Sequence, residues 1–192
     1  MANRSPSHYP DIGVLGEELV AQWLQSTGWI ILRRRWRCRW GEIDIIARQQ
    51  PVEDARGRRA GGFLGSSADV NSSRTQEFTR SERFPLLVFV EVKTRSRGNW
   101  DAGGLLSITT QKQAKLCQTA QCFLATCPHL IDYPCRFDAA LVYCQRLSTR
   151  QNQNLSEVPI TLEGSKTFQL GQAVSSSGYQ LVLQEYIPSA FD

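Results

Sequence analysis

The chain has 192 residues, 41% of them hydrophobic and 21% charged, with a net charge of +4. That length supports one domain with a buried core and no disulfide or structural-metal support, and the mild positive charge suits a polyanionic partner without requiring one. No apolar run reaches the roughly 18 residues of a membrane span, and the opening MANRSPSHYPDIG lacks the apolar stretch of a signal peptide, so a cytoplasmic protein without membrane association is expected.

Residues 13–27 carry apolar side chains at helical spacing (Leu15, Leu19, Ala21 or Trp23, then Leu24), and Gly28 provides a stop. WIILRRRW, residues 29–36, reads as a first strand. A turn near Arg39 to Gly41 leads to EIDIIAR, a second strand, and residues 86–95, LLVFVEVKTR, form a third. Residues 49–85 between them are rich in Gly, Ser and Arg without a period, and read as a flexible insertion in a hairpin. RGNWDAGG is a loop, and residues 107–125 read as a second helix capped by Ser107 or Thr109. CRFDAALVYCQR, residues 135–146, is a fourth strand; 147–166 is polar loop, and 179–187 offers one more strand. The order predicts an α/β fold, a mixed β-sheet flanked by α-helices. The domain would run over 13–146, broken by the insertion, with 147–192 as a polar loop and C-terminal extension.

The third strand holds the informative residues. Side chains alternate along a strand, so Phe89, Glu91 and Lys93 share one face and Val88, Val90 and Val92 the other. Charge on so apolar a strand must be paired or bind something. If the second and third strands form a hairpin with Gln49 opposite Leu86, Asp44 falls opposite Glu91. A slip of one residue would separate the two carboxylates. Two facing carboxylates repel unless a cation lies between them, and oxygen ligands suit Mg²⁺ or Mn²⁺. Such an ion lowers the pKa of a bound water and stabilises a phosphodiester transition state, with Lys93 placed to orient the water. The alternative from spacing alone is a structural ion pair among Asp44, Glu91 and Lys93 on an exposed sheet face.

RRRWRCRW at 33–40 is the densest basic run, and in strand geometry Arg33, Arg35, Arg37 and Arg39 share a face. That face suits phosphates, because arginine pairs with them in bidentate fashion. The competing reading is a solvated edge guarded against aggregation. Trp36 or Trp40 is available to stack on a base, with core or turn packing as the alternative. The six cysteines contain no CxxC pair, so free thiols, several of them buried, are expected in place of a zinc site. Arg136 and Asp138 share a strand face and read as a bracing ion pair.

GEIDIIA, then VFVEVKTR, then a helix, then RFDAALV resembles, in this order, the YraN family. That family is assigned to the PD-(D/E)XK nuclease superfamily and is similar to archaeal Holliday-junction resolvases. The GEE of the first helix (Gly16, Glu17, Glu18) and the terminal IPSAF fit the same pattern, and the match covers roughly 13–48, 86–145 and the last ten or so residues. The resemblance implies a restriction-endonuclease-like sheet and a Mg²⁺- or Mn²⁺-dependent endodeoxyribonuclease acting on DNA, branched DNA included. It makes Asp44 the motif aspartate and Glu91 with Lys93 the (D/E)XK pair. Val92 would add its carbonyl to the metal, Glu17 would support it from the first helix, and Gln111 and Lys112 would be auxiliary. It also implies a homodimer and no small-molecule cofactor. The insertion at 49–85 departs from the pattern, being much longer than the usual connection. A second reading keeps the fold as a non-catalytic nucleic-acid- or protein-binding module.

Overall fold

Asp11 caps helix α1, Ile12–Ser26: its side chain accepts a 2.9 Å bond from the Gly13 N–H and so satisfies one of the helix's free donors. The computed structural model describes residues 11–50, 85–96, 109–147 and 169–191. Helix α1 buries Leu19, Val20, Ala21 and Leu24 along one stripe. Gly28, at φ +89, then turns the chain, a conformation that a side chain would strain.

Strands β1 (Trp29–Cys38) and β2 (Gly41–Gln49) form a hairpin, and β3 (Leu87–Ser96) follows on the far side of the insertion. Helix α2 (Thr110–Thr126) is capped by Thr109, whose hydroxyl accepts from the Lys112 N–H. A single 3-10 turn, Pro128–Leu130, leads to β4 (Cys135–Arg146). The chain closes with β5 (Ala173–Ser176) and β6 (Tyr179–Phe191). The six strands lie in the order β1-β2-β3-β4-β6-β5, with β3 and β4 parallel and all other neighbours antiparallel. Helix α2 makes the crossover that a parallel pair requires.

The two helices cover opposite faces. Leu19, Val20 and Leu24 of α1 pack on Ile45, Ala47, Val88, Val90, Ala140 and Val142. Leu116, Ala120 and Phe123 of α2 pack on Ile43, Ile46, Leu87, Phe89 and Ala139. This is the mixed α/β sheet flanked by helices expected from the element order, and it is consistent with the restriction-endonuclease-like fold that the resemblance implies. The β2–β3 ladder runs from Ile45↔Val90 to Arg48↔Leu87 in the expected register, and the Gln49 N–H donates to the Leu86 carbonyl at 2.9 Å.

Several elements differ from the sequence reading in extent. β1 runs two residues further, to Cys38, and β6 extends to Phe191 along β4. β5 has no counterpart in that reading, because Ala173–Ser176 is short and its pattern weak. Most of the insertion, with Ser107, Trp100 and Asp101, lies outside the described residues. None of the six cysteines forms a disulfide, and only Cys144 is buried, against the several expected; Cys135 is exposed and the other four are partly solvated.

The approach of α1 to β3 is tight at one point. A Cβ placed on Gly16 would sit 1.9 Å from the Thr94 hydroxyl oxygen. Gly16→Ala is therefore expected to cost roughly 1–3 kcal/mol, because Thr94 sits on a central strand and yields little. Urea unfolding of the variant checks this, and adding Thr94→Ala should restore part of the loss.

Candidate active site

Asp44 occupies a break in the sheet. Ile45 packs under α1 whereas Ile43, two residues earlier, packs under α2, so the alternation of faces fails at the residue between them. Across the hairpin, Arg35 lies between the Arg34↔Ile45 and Trp36↔Ile43 pairs and has a left-handed backbone, φ 48. Such a φ is uncommon outside glycine. An earlier irregularity at Leu32 shifts the register of the same strand. The β2–β3 ladder ends at Ile45↔Val90, and the Asp44 carboxylate takes over as acceptor: the Val92 N–H donates to its Oδ2 at 2.7 Å. The side chain thus stands where the next backbone carbonyl of β2 would bond. Asp44 is only half-buried by surface exposure. Even so, loss of solvent, followed by the neighbouring Glu91 carboxylate, pushes it up to about 7 against the pull of the Val92 N–H.

Glu91 and Lys93 share the α2 face of β3, as parity predicts. Glu91 is 6% exposed. Its Oε1 accepts from the Lys93 ammonium at 2.8 Å and also from the Lys112 ammonium in the first turn of α2. Burial opposes the charged form of both lysines. For Lys112 burial prevails and the pKa falls; for Lys93 the bond to Glu91 outweighs it and the pKa rises. Gln111, the neighbour of Lys112, is exposed and joins none of these bonds.

Glu17 approaches from α1. It is 7% exposed, and its Oε2 has no hydrogen-bond partner; the Arg35 Nε stands off at 3.5 Å. Burial raises its pKa, with Arg35 and then Arg34 pulling the other way. Asp44 is within electrostatic reach of both Glu17 and Glu91. The described residues contain no group of three His, Cys, Asp or Glu side chains converged into a finished cation cage. What is present is a pair of oxygen donors, desolvated Asp44 and buried Glu91, with the orphaned Glu17 oxygen felt electrostatically at Asp44 but not converged with them. That pair fits a hard divalent ion that keeps several waters. The unsatisfied Glu17 atom is the kind of buried polar group that calls for a missing partner.

The basic strand is less uniform than simple alternation predicts. The left-handed residue at Arg35 redirects the run, so Arg33, Arg35, Arg37 and Arg39 do not form one free basic face. Arg35 and Arg37 both pair with Glu42, at 3.3 and 2.9 Å, and Arg34 pairs with Glu18 of α1. Arg33 donates to the Leu32 carbonyl, and Arg39 lies 4.9 Å over the Trp40 ring at the hairpin turn. Trp36 packs edge-on against Phe123 in the α2 core, whereas Trp40 is exposed. Glu42 was missed by the sequence reading; its place among arginines, in GEID itself, was the available signal.

The ion pair read for Arg136 and Asp138 is observed, and it is part of a larger network. Asp138 is fully buried. It accepts from Arg136 Nε and Nη2 at 2.7 and 2.8 Å, from the Tyr186 hydroxyl at 2.6 Å and from the Ser189 N–H at 3.0 Å. Burial, then Asp138, drives the Tyr186 phenol far above its ordinary value. Tyr186 in turn packs on Trp23 of α1 at 4.7 Å.

The segment that supplies Glu17, Asp44, Glu91, Lys112 and Asp138 is also the one that carries the family signature. The profile of the uncharacterised protein family UPF0102 matches residues 16–142. The chain belongs to that family. A UPF0102 protein of Trichodesmium erythraeum is 46% identical over 94% of this chain and 88% of its own length. That of Trichormus variabilis is 43% identical over 95% of each chain, and that of Synechocystis 38% identical over 94% of this chain and 97% of its own. The family match thus runs from α1 into β4, and the alignments with these relatives cover nearly the whole chain. Among the described residues no helix is long and apolar enough to cross a membrane.

Proposed function

We propose that this UPF0102 protein is a metal-dependent nuclease-like protein of the PD-(D/E)XK type, which binds DNA and hydrolyses its phosphodiester bonds in the cytoplasm. The observation that carries the reading is the interruption of β2 at Asp44, where a carboxylate replaces a ladder acceptor beside Glu91 and Lys93. Sheet stability alone gives no reason to leave a half-buried carboxylate at such a break.

Asp44 and Glu91, with the Val92 carbonyl, would hold Mg²⁺ or Mn²⁺. When bound, that ion supplies Lewis-acid stabilisation of a phosphodiester oxygen and a more acidic water. Asp44 is anchored for the task by the Val92 N–H, so its carboxylate is preorganised. The Lys93 ammonium is fixed at Glu91, where it orients the attacking water or offsets charge developing on the phosphate. Glu17 supports the ion from α1 as an outer carboxylate. Arg33 and Arg39, both exposed, are the better phosphate contacts, because Arg35 and Arg37 are already shared with Glu42. The sequence resemblance of GEID, VFVEVKTR and RFD implies a kinship with Holliday-junction resolvases, and on that footing branched DNA would be the substrate and a homodimer the acting form.

A second reading, a DNA- or protein-binding module without turnover, draws on one observation: both lysines hold Glu91 as a closed ion-paired cluster. Cleavage of linear, nicked and four-way DNA in Mg²⁺ or Mn²⁺ decides between them. The wild type is expected to cleave at least one of these, and Asp44→Ala and Lys93→Ala to lose roughly 100-fold or more in rate. Equal trace cleavage by all three proteins, with DNA binding intact, would favour the binding module.

A further inference from the structure

We propose, building on the metal-dependent reading above, that Lys112 is a displaceable internal cation: it occupies Glu91 until a divalent ion arrives, and thereby sets the ion concentration at which the site fills. The juxtaposition that carries this is two ammonium groups, Lys93 and Lys112, on one oxygen of one buried carboxylate. A single Glu91 oxygen needs no second monocation for its own satisfaction, and two like charges on it repel.

The cluster balances in charge when Lys112 is included. With its carboxylates ionised, Glu17, Glu42, Asp44 and Glu91 supply four negative charges, and Arg35, Arg37, Lys93 and Lys112 four positive ones. A dication entering this set would leave an excess of two positive charges in a partly desolvated site. If Lys112 withdraws, the excess falls to one, which a phosphodiester monoanion then cancels. The geometry also says which lysine yields. Lys93 projects from a central strand and its side chain is 25% exposed, whereas Lys112 projects from the first turn of α2 and is 34% exposed. Its flexible stem lets the head swing into water while the backbone stays fixed, because the Lys112 N–H is held by the Thr109 cap. Displacement therefore leaves the helix start undisturbed.

The test is Mn²⁺ binding to the full chain, measured by isothermal titration calorimetry and electron paramagnetic resonance without DNA. Lys112→Met keeps the alkyl stem and removes the charge, and Lys112→Arg keeps the charge. Lys112→Met is expected to bind Mn²⁺ about tenfold more tightly than wild type, equivalent to ~1.4 kcal/mol, and Lys112→Arg about as wild type. Circular dichroism checks that both variants remain folded. Mn²⁺ affinity in Lys112→Met equal to wild type would overturn the displacement model while leaving the metal site standing. Weaker affinity would overturn it as well, since a residue that merely braces Glu91 gives that result. Failure of wild type and Lys112→Met alike to bind Mn²⁺ would remove the metal reading and this inference together.

Discussion

Replacing Asp138 with alanine is expected to destabilise the protein by about 3–5 kcal/mol, the usual cost of breaking a buried, hydrogen-bonded ion pair from one side. The magnitude follows from what is stranded. Arg136 loses a bidentate partner and the Tyr186 hydroxyl loses its 2.6 Å acceptor. The Ser189 N–H also loses the bond that holds a left-handed residue, φ 50, near the end of β6. Tyr186→Phe removes one of these bonds while keeping the ring on Trp23, and should cost only about 0.5–1.5 kcal/mol. Urea unfolding at pH 7 measures both. A loss under about 1 kcal/mol for Asp138→Ala would show that the hub is not holding β4 to β6.

Asp44→Asn should act in the opposite direction on the metal-free protein. The aspartate is pushed up to about 7 in the fold, from an ordinary value of 3.8. The folded state then binds this proton more tightly than the unfolded chain does. The stabilisation from protonating Asp44 is fully present below about pH 4 and is lost as pH rises to about 7, by roughly 4 kcal/mol at most. Asparagine mimics the protonated form, and its side-chain carbonyl still accepts from the Val92 N–H. At pH 8 Asp44→Asn is thus expected to unfold at higher urea than wild type, with the difference vanishing near pH 4. Mg²⁺ at about 100 times its dissociation constant should raise wild-type stability by about 2.7 kcal/mol at pH 8 and leave Asp44→Asn unmoved. Equal stabilities at pH 8 would mean that the carboxylate carries no strain. A stable site residue traded for function is a familiar exchange in enzymes.

These two residues differ in how far the sequence exposed them. Asp138 was legible as half of an Arg136 pair because strand parity alone puts residues two apart on one face. Its remaining partners, Tyr186 and Ser189, come from 48 and 51 residues away. No local pattern announces a bond across that separation. Asp44 was legible by a different route, since the hairpin register set it opposite Glu91. That register is observed, yet it holds only to Ile45, and Asp44 reaches the Val92 N–H through a break that parity does not foresee.

The sequence by itself determined most of the elements: α1 and α2 from apolar spacing, β1 to β4 from their apolar and β-branched runs, and the shared side of Glu91 and Lys93 from the period of two. Those are short-range properties, set by backbone geometry and by which side chains leave water. Only the tertiary structure decided which charges from different elements meet. It placed Lys112 on Glu91, left a Glu17 oxygen without a bond, and set Arg34 on Glu18 and both Arg35 and Arg37 on Glu42. Ion pairs and desolvation depend on distances between elements far apart in the chain. A left-handed residue at Arg35 is enough to overturn the alternation from which those distances would otherwise be guessed.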